Sequence, residues 1–484
     1  MCEEILIDSV GDEIRVALVD VESVEEIYIE HPSQRGLAGN IYKGKVIRVL
    51  PGMQSAFIDI GLEKNAFLHV ADIAGARRPD GSLKPIETLI HSGDALMVQV
   101  FKDPIGTKGA RVTTLVSIAG HELVFLPQER HIGVSQRIDD IHEKERLKTL
   151  LSGIVGKDFA QGYIIRTCAD GATSEDFLHD IAYLNLVWEE ARQKFANQPA
   201  PSLLFEDLHL EARVLRDIAS ENTSAIRVQD PELARRLASF AQKYLPFAAD
   251  KISFSGDRDL FEKHHVNEEI QKALNPRVDL KSGGYLIIEQ TEAMVTIDVN
   301  TGAFVGRRDF SDTIFKTNLE AAQAIARQLR LRSLGGIIII DFIDMENPEH
   351  EKLVLDELKK ALSRDRVRTS VSPFSNLGLV EMTRKRVRES LSHVLSESCP
   401  YCHGKGEVKT KQTVCHEIYR EIVRMADLYP NIREFRIVAC ADVINTFLEE
   451  KAHDFDSFQE TIARPVTLIV EPSYTREDFD VTFR

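Results

Sequence analysis

The sequence predicts a multidomain α/β protein, and three observations carry that expectation. The chain has 484 residues, room for about three domains at roughly 150 residues each. Residues 40–117 hold only short strand-like runs broken by turn signals. From Lys281 onward the order is strand, strand, long amphipathic helix, buried strand, the signature of an α/β layer. Hydrophobic residues make up 43%, charged 28% and aromatic 7%, which are globular values and exclude a disordered or collagen-like chain.

In chain order, residues 1–35 read as short strands, with 13–19 the clearest. Runs at 41–49, 56–60, 66–70 and 95–100 alternate in polarity. They are separated by Pro51-Gly52, Gly61, Pro79-Asp80-Gly81 and Gly106, a spacing that suits a small five-stranded barrel of the OB type. Residues 118–200 mix strands (122–126, 162–167) with helices (140–151, 175–195). Asn197-Gln-Pro-Ala-Pro201 reads as a linker. Residues 203–274 are expected to be mainly helical. Strands over 285–290 and 293–300, a helix over 312–332, a strand over 337–341 and a helix over 349–364 form the α/β domain. A helix over 414–428 and strands over 435–441 and 466–471 make a small α/β tail.

The formal charge is −16, from 60 Lys plus Arg against 76 Asp plus Glu. No net basic charge announces a nucleic-acid partner, although a local basic groove is compatible with an acidic protein. Apolar stretches such as Gly336-Ile-Ile-Ile-Ile340 are too short to span a bilayer. The start, Met1-Cys-Glu-Glu-Ile-Leu-Ile-Asp8, lacks the basic region of a signal peptide. A cytoplasmic protein with no membrane span is the expectation. Six cysteines are too sparse for a disulfide scaffold, and the one close pair, Cys399 and Cys402, points to metal or redox chemistry.

Thr296-Ile-Asp-Val-Asn300 sets Asp298 and Asn300 two residues apart at a strand end, on one face by the period of two. The isoleucine strand also ends in a carboxylate, Asp341. Two carboxylates at adjacent strand ends repel unless a cation lies between them, and Mg²⁺ suits one or two carboxylates plus waters. Strand-end capping is the plain alternative. Asp344, three residues on, is expected to face away and support its loop. Directly after, seven basic residues, Arg364, Arg366, Arg368, Arg384, Lys385, Arg386 and Arg388, face only Asp365 and Glu381. Arg368 is the one expected to enter the site; a solvated helix face is the alternative. Metal site beside basic segment suggests a phosphodiester substrate.

On the barrel, Phe57 and Phe67 with Tyr42, His69, Lys43, Lys45, Lys102 and Lys108 suit stacking of single-stranded bases over a positive surface. A core position for Phe57 fits its pattern better. The strand end at Arg166 and Thr167 offers a guanidinium and a hydroxyl for a terminal phosphate. Cys399-Pro-Tyr-Cys402-His-Gly-Lys-Gly406 resembles a zinc knuckle supplying two of four ligands. Cys415 and His416 complete it in one reading, an equivalent pair from a second chain in the other. A redox pair is disfavoured by the glycine-rich sequel.

Taken together, Asn40-Ile-Tyr-Lys-Gly-Lys45, Lys281-Ser-Gly-Gly-Tyr-Leu-Ile-Ile288, Thr317-Asn-Leu-Glu-Ala-Ala322, Ile340-Asp-Phe-Ile-Asp-Met345, Gly378-Leu-Val-Glu-Met382 and Cys399-Pro-Tyr-Cys402 resemble the ribonuclease E/G family over nearly the whole chain. The short tail is more like the short members than the long ones with a disordered scaffold; a truncated half of a long member stays open. The resemblance implies an RNase H-like part in two segments (1–35 and 210–275) and an inserted OB-type barrel (36–117). It further implies a 5′-sensor region (118–209), a DNase I-like catalytic domain (276–397), a zinc link (398–410) and a small C-terminal domain (411–484). It implies a Mg²⁺-dependent endoribonuclease that cuts single-stranded, often A/U-rich RNA and leaves 5′-phosphate and 3′-hydroxyl ends. Roles in maturing the 5′ end of 16S rRNA and in mRNA decay follow from it.

By the same resemblance, Asp298 and Asp341 are the Mg²⁺ ligands and Asn300 assists at the scissile phosphate. Arg166 and Thr167, flanked by Gly120 and Val124, hold a 5′-monophosphate. Phe57, Phe67 and Lys108 contact RNA. Cys399 and Cys402 share Zn²⁺ between two chains, giving a homodimer with about half a zinc per chain and leaving a tetramer open. A non-catalytic RNA scaffold and a DNA-directed phosphodiesterase are the competing classes.

Overall fold

The structure is a computed structural model and describes residues 3–20, 23–31, 36–104, 109–138, 140–156, 159, 161–220, 222–257, 259–302, 310–450 and 452–484. It divides into two compact units, residues 1–394 and 395–484.

Three eight-residue strands open the first unit: Glu3–Val10, Glu13–Asp20 and Ser23–Glu30. Each pairs antiparallel with the next. Thr223–Val228 and Ile252–Phe254 extend this sheet in parallel on the side of Glu3–Val10. Helices Leu210–Asp217 and Pro231–Tyr244 seal it around Ile5, Ile7, Ile226 and Val228. The sequence reading expected 203–274 to be mainly helical, and helices do make most of its regular structure, but these two strands lie among them. Flanking amphipathic helices dominate the local pattern there, whereas Ile226 becomes a strand residue through pairing with Ile5, far away in the chain.

Between the two segments of that sheet lies a closed barrel. Its strands run in the order Ile41–Leu50, Ser55–Asp59, Ala66–His69, Arg111–Thr113, Ala95–Lys102, and the last pairs with the first. Val46, Ala56, Ile58, Leu68, Val98 and Val112 fill it. Gly44 has no room for a side chain, since a Cβ would sit 2.5 Å from Ile58. The OB-like barrel expected from the short strands is present, and Ser202–Phe205 adds to the outer side of Ile41–Leu50.

Residues 118–197 form a four-stranded sheet, Ile132–Val134, Gly162–Ile165, Leu123–Leu126 and Ile118–Ala119, packed by helices Ile141–Val155 and Ser174–Asn197. A six-stranded sheet follows in the order Arg277–Asp279, Tyr285–Gln290, Met294–Asn300, Gly336–Asp341, Leu379–Arg384, Thr369–Phe374. Met294–Asn300 and Gly336–Asp341 are parallel. A parallel pair needs a crossover, and helix Phe310–Leu331 lies in it. Val295, Ile297, Val299, Ile338 and Ile340 are buried on one face with Ala322, Ile325 and Leu329. The alternate residues, including Asp298 and Asp341, turn to the open face.

The second unit packs helix Lys411–Leu428 on a three-stranded sheet, Val466–Val470, Phe435–Ala439 and Phe479–Phe483. Among the described residues no helix is long and apolar enough to cross a membrane.

Candidate active site

The parallel register puts Asp298 directly opposite Asp341, on strands about 4.8 Å apart. Both residues are exposed. Burial and the neighbouring anions Asp298 and Asp344 hold the Asp341 carboxyl above its ordinary range. Asp344 therefore belongs to the electrostatics of the pair and does not merely support its loop. Asn300 donates from Nδ2 to Asp298 Oδ2 at 2.8 Å and so fixes that carboxylate.

The surrounding motifs have physical reasons. Gly284 lies under Asn300, where a Cβ would stand 2.6 Å from the Asn300 carbonyl. Gly302, at φ +65°, would collide with the Gly283 carbonyl. Asn318 is fully buried in helix Phe310–Leu331. Its side chain donates to Ile343 O at 2.8 Å and accepts from Ile343 N at 3.1 Å, so it clamps the turn between Asp341 and Asp344. Glu320 accepts from Ser282 N at 2.8 Å and ties down the glycine loop. Each motif thus supports the backbone around the two aspartates.

The basic segment is not a helix face. It is the strand pair Thr369–Phe374 and Leu379–Arg384 with its flanks. Arg384 is buried against Asp365 at 2.7 and 3.1 Å. Arg386 bonds Gly335 O, Arg388 bonds Ile27 O and covers the Tyr28 ring, and Arg366 pairs with Glu3 and Glu26. Arg368 does not enter the carboxylate site. Thr369 is level with Arg384 and hence with Gly336, whereas Asp341 is level with Leu379. That is the opposite end of the sheet, about 17 Å along the strand. Arg137 bonds the carbonyls of Asp365 and Arg366, so the loop before Arg368 lies beside the Thr167 corner instead.

At that corner Arg166 donates to Gly120 O and His121 O, and to Asp217 Oδ1 at 2.7 Å. Among the described residues, three of its five N–H groups are engaged. Thr167 Oγ1 lies 2.8 Å from Ser135 Oγ. Gly120 is required by close approach, since a Cβ would fall 2.3 Å from Asp180. Asp180 accepts from the backbone N–H groups of His121, Glu122 and Leu123 at 2.9, 3.0 and 2.7 Å. Val124 pairs with Ile164 and Ala119. Glu122 is buried, and desolvation with the charges of Asp180 and Asp176 pushes its carboxyl up to about 8. Sequence reasoning missed Ser135, Asp180 and Asp217, which lie 32 to 59 positions from their partners and carry no local signal.

On the barrel Phe57 is 37% exposed, which overturns the core reading. It meets Phe67 edge-on, centroids 6.2 Å apart. Lys102 is exposed. Tyr42 is buried in the barrel, and Lys43 is occupied by the carbonyls of Phe195 and Gln198. Lys108 lies outside the described residues.

In the second unit Cys399 and Cys402 sit on a turn with positive φ at His403, Gly404 and Gly406. Backbone N–H groups of Gly406 and Gly404, then the Cys399 thiol, hold the Cys402 thiol below its ordinary range. Cys415 is buried in the hydrophobic core of that unit. Among the described residues no three His, Cys, Asp or Glu side chains are grouped to hold a metal.

Paired strand-end carboxylates, a guanidinium corner and an aromatic barrel surface are the parts of a phosphodiester-cleaving, RNA-handling enzyme. The ribonuclease E/G family model matches residues 117–387. The chain is 49% identical to ribonuclease G of Salmonella typhimurium (strain SL1344) and of Escherichia coli (strain K12), across 99% of both chains in each case. It is 34% identical to ribonuclease E of Escherichia coli (strain K12), across 96% of this chain and 44% of that one. The chain belongs to the ribonuclease E/G family and is an endoribonuclease.

Proposed function

We propose that this endoribonuclease is Mg²⁺-dependent, cuts single-stranded A/U-rich RNA, prefers 5′-monophosphorylated ends and leaves 5′-phosphate and 3′-hydroxyl products. The observation that carries this reading is the register of Asp298 with Asp341. Two facing carboxylates, with that of Asp341 raised by burial and then by the charges of Asp298 and Asp344, fit a divalent cation that would relieve their repulsion. Asp298 and Asp341 would hold Mg²⁺, which supplies Lewis-acid charge at a phosphoryl oxygen and a more acidic water. Asn300 keeps the Asp298 carboxylate oriented, and Asn318 and Glu320 hold the loops that carry the pair.

Arg166 and the Thr167 hydroxyl receive the 5′-phosphate, with Gly120 and Val124 as the walls. Phe57, Phe67, Lys102 and Lys108 grip the strand on the barrel. The two-segment sheet of 3–30 and 223–254 is read as the RNase H-like part, and the six-stranded sheet as the DNase I-like domain. The Cys399–Cys402 turn, whose backbone N–H groups hold the Cys402 thiol below its ordinary range, suits Zn²⁺. Shared with the same pair of a second chain, that zinc makes a homodimer. Maturation of 16S rRNA and mRNA decay in the cytoplasm are the proposed roles.

The test incubates the protein with matched 5′-monophosphate and 5′-hydroxyl RNA and with a DNA oligomer, in Mg²⁺ or EDTA, followed by analysis of product ends. Mg²⁺-dependent RNA cutting with 5′-phosphate products is expected. Cutting that survives EDTA, or 3′-phosphate ends, overturns the reading.

A further inference from the structure

The barrel surface holds more than the two phenylalanines. Strand register places Arg48 opposite Phe57, Phe57 opposite Phe67, Phe67 opposite Arg111, and Arg111 opposite Lys102. Residues directly opposite one another share a face, so these five side chains form one row across the strands. The pairing shifts between Val100 and Lys102, and such a bulge lets consecutive residues reach the surface. Phe101 is accordingly 37% exposed beside an exposed Lys102. The Arg111 guanidinium lies over the Phe101 ring at 4.9 Å. Its edge is pinned by Asp72, Nη2 to Oδ2 at 2.9 Å, and its side chain stays 40% exposed.

We propose that Arg111, stacked on Phe101 and fixed by Asp72, is a third base-stacking position of the barrel, continuing the Phe57–Phe67 pair, with Arg48 and Lys102 as phosphate contacts at the two ends of the row. This rests on the reading of the barrel as the RNA-gripping surface. A guanidinium is planar and stacks on aromatic faces. One face of Arg111 is taken by Phe101, and the other is offered to a base. Asp72 orients the plane before RNA arrives, which lowers the ordering cost of binding. The wall continues past Phe101 into a cavity of about 260 Å³ bordered by Ser117, Ile118 and Ala119. Those residues lead directly to Gly120 and the Arg166 corner, so the row points a bound strand toward the 5′-end pocket.

The test measures binding of a fluorescein-labelled single-stranded 5′-hydroxyl oligo(A) RNA to the full chain, by anisotropy across a salt series. No divalent metal is added, and the probe is checked to be uncut. Arg111→Ala is expected to weaken binding about tenfold, the scale of one lost stacked base. Arg111→Lys, which keeps the charge but not the plane, is expected to lose nearly as much with an unchanged salt slope. Arg111→Lys binding as the wild type does would overturn the stacking role. Phe57→Ala is the control: if it and Arg111→Ala both leave binding unchanged, the barrel reading itself fails; if only Phe57→Ala weakens binding, the third position alone fails. Scanning single abasic sites along the probe on the wild-type protein gives an answer independent of variant folding. Three sensitive positions support the proposal and two overturn it.

Discussion

The carboxylate strand ends and the Arg166 corner solve opposite electrostatic problems. At the strand ends like charges are brought together and left exposed, with Asp298 and Asp341 level and Asp344 near. At the corner a cation is surrounded by its balance, two carbonyls and the Asp217 carboxylate around Arg166. Burial favours the proton on Glu122 and keeps a further anion away. The first site, on the proposed reading, takes up a cation that offsets this repulsion. At the second, three of the five guanidinium N–H groups are engaged among the described residues, and we propose that the corner receives a 5′-phosphate. On the proposed function, loss of a carboxylate is expected to affect every substrate, and loss at the corner only the choice among 5′ ends.

The largest effect is expected from Asp298→Asn. Turnover should fall on the order of a thousandfold, equivalent to about 4 kcal/mol in the barrier, on both 5′-phosphate and 5′-hydroxyl RNA, with RNA affinity retained. Single-turnover rates and anisotropy check this, and wild-type rates would remove the pair from the chemistry. Arg166→Ala should narrow the rate ratio between the two 5′ ends by about tenfold, the scale of one charge-assisted hydrogen bond, without slowing the 5′-hydroxyl substrate. A preserved ratio would dissolve the contrast between the sites.

Asn318→Ala should cost about 1–3 kcal/mol in stability, because two part-buried backbone groups of Ile343 lose their partner. It should also lower turnover with little change in the 5′-end ratio. Urea midpoints and cleavage rates separate these.

A further effect concerns pH. Glu122 has a folded pKa raised to about 8, so its proton favours the folded state. That stability is full at acid pH, below the ordinary Glu range, and is lost as pH rises toward 8. Glu122→Gln should flatten this slope and raise the urea midpoint at pH 8.5, on the order of 2 kcal/mol. Parallel pH profiles for the two proteins would show that the carboxyl is ionised throughout.

The facing aspartate pair was legible because strand ends are local. Thr296-Ile-Asp-Val-Asn300 and the isoleucine run each show an apolar strand delivering an acid, and a period of two sets the face. The knuckle turn and the barrel strands were legible for the same reason, since glycine, proline and alternation act over a few residues. Arg368 was misplaced because nearness in sequence to Asp341 was taken for nearness in space. The antiparallel return of Thr369–Phe374 sends it to the far end of the sheet.

By itself, then, the sequence determined most of the element types, the two strand-end aspartates and the thiol pair, because propensity and periodicity are local. The tertiary structure decided the register that makes Asp298 and Asp341 neighbours, the parallel strands Thr223–Val228 and Ile252–Phe254, the Arg166–Asp217 and Asp180 contacts, and the Arg48-to-Lys102 row. Each of those joins residues distant in the chain, and only the packing of sheets and helices fixes which distant residues meet.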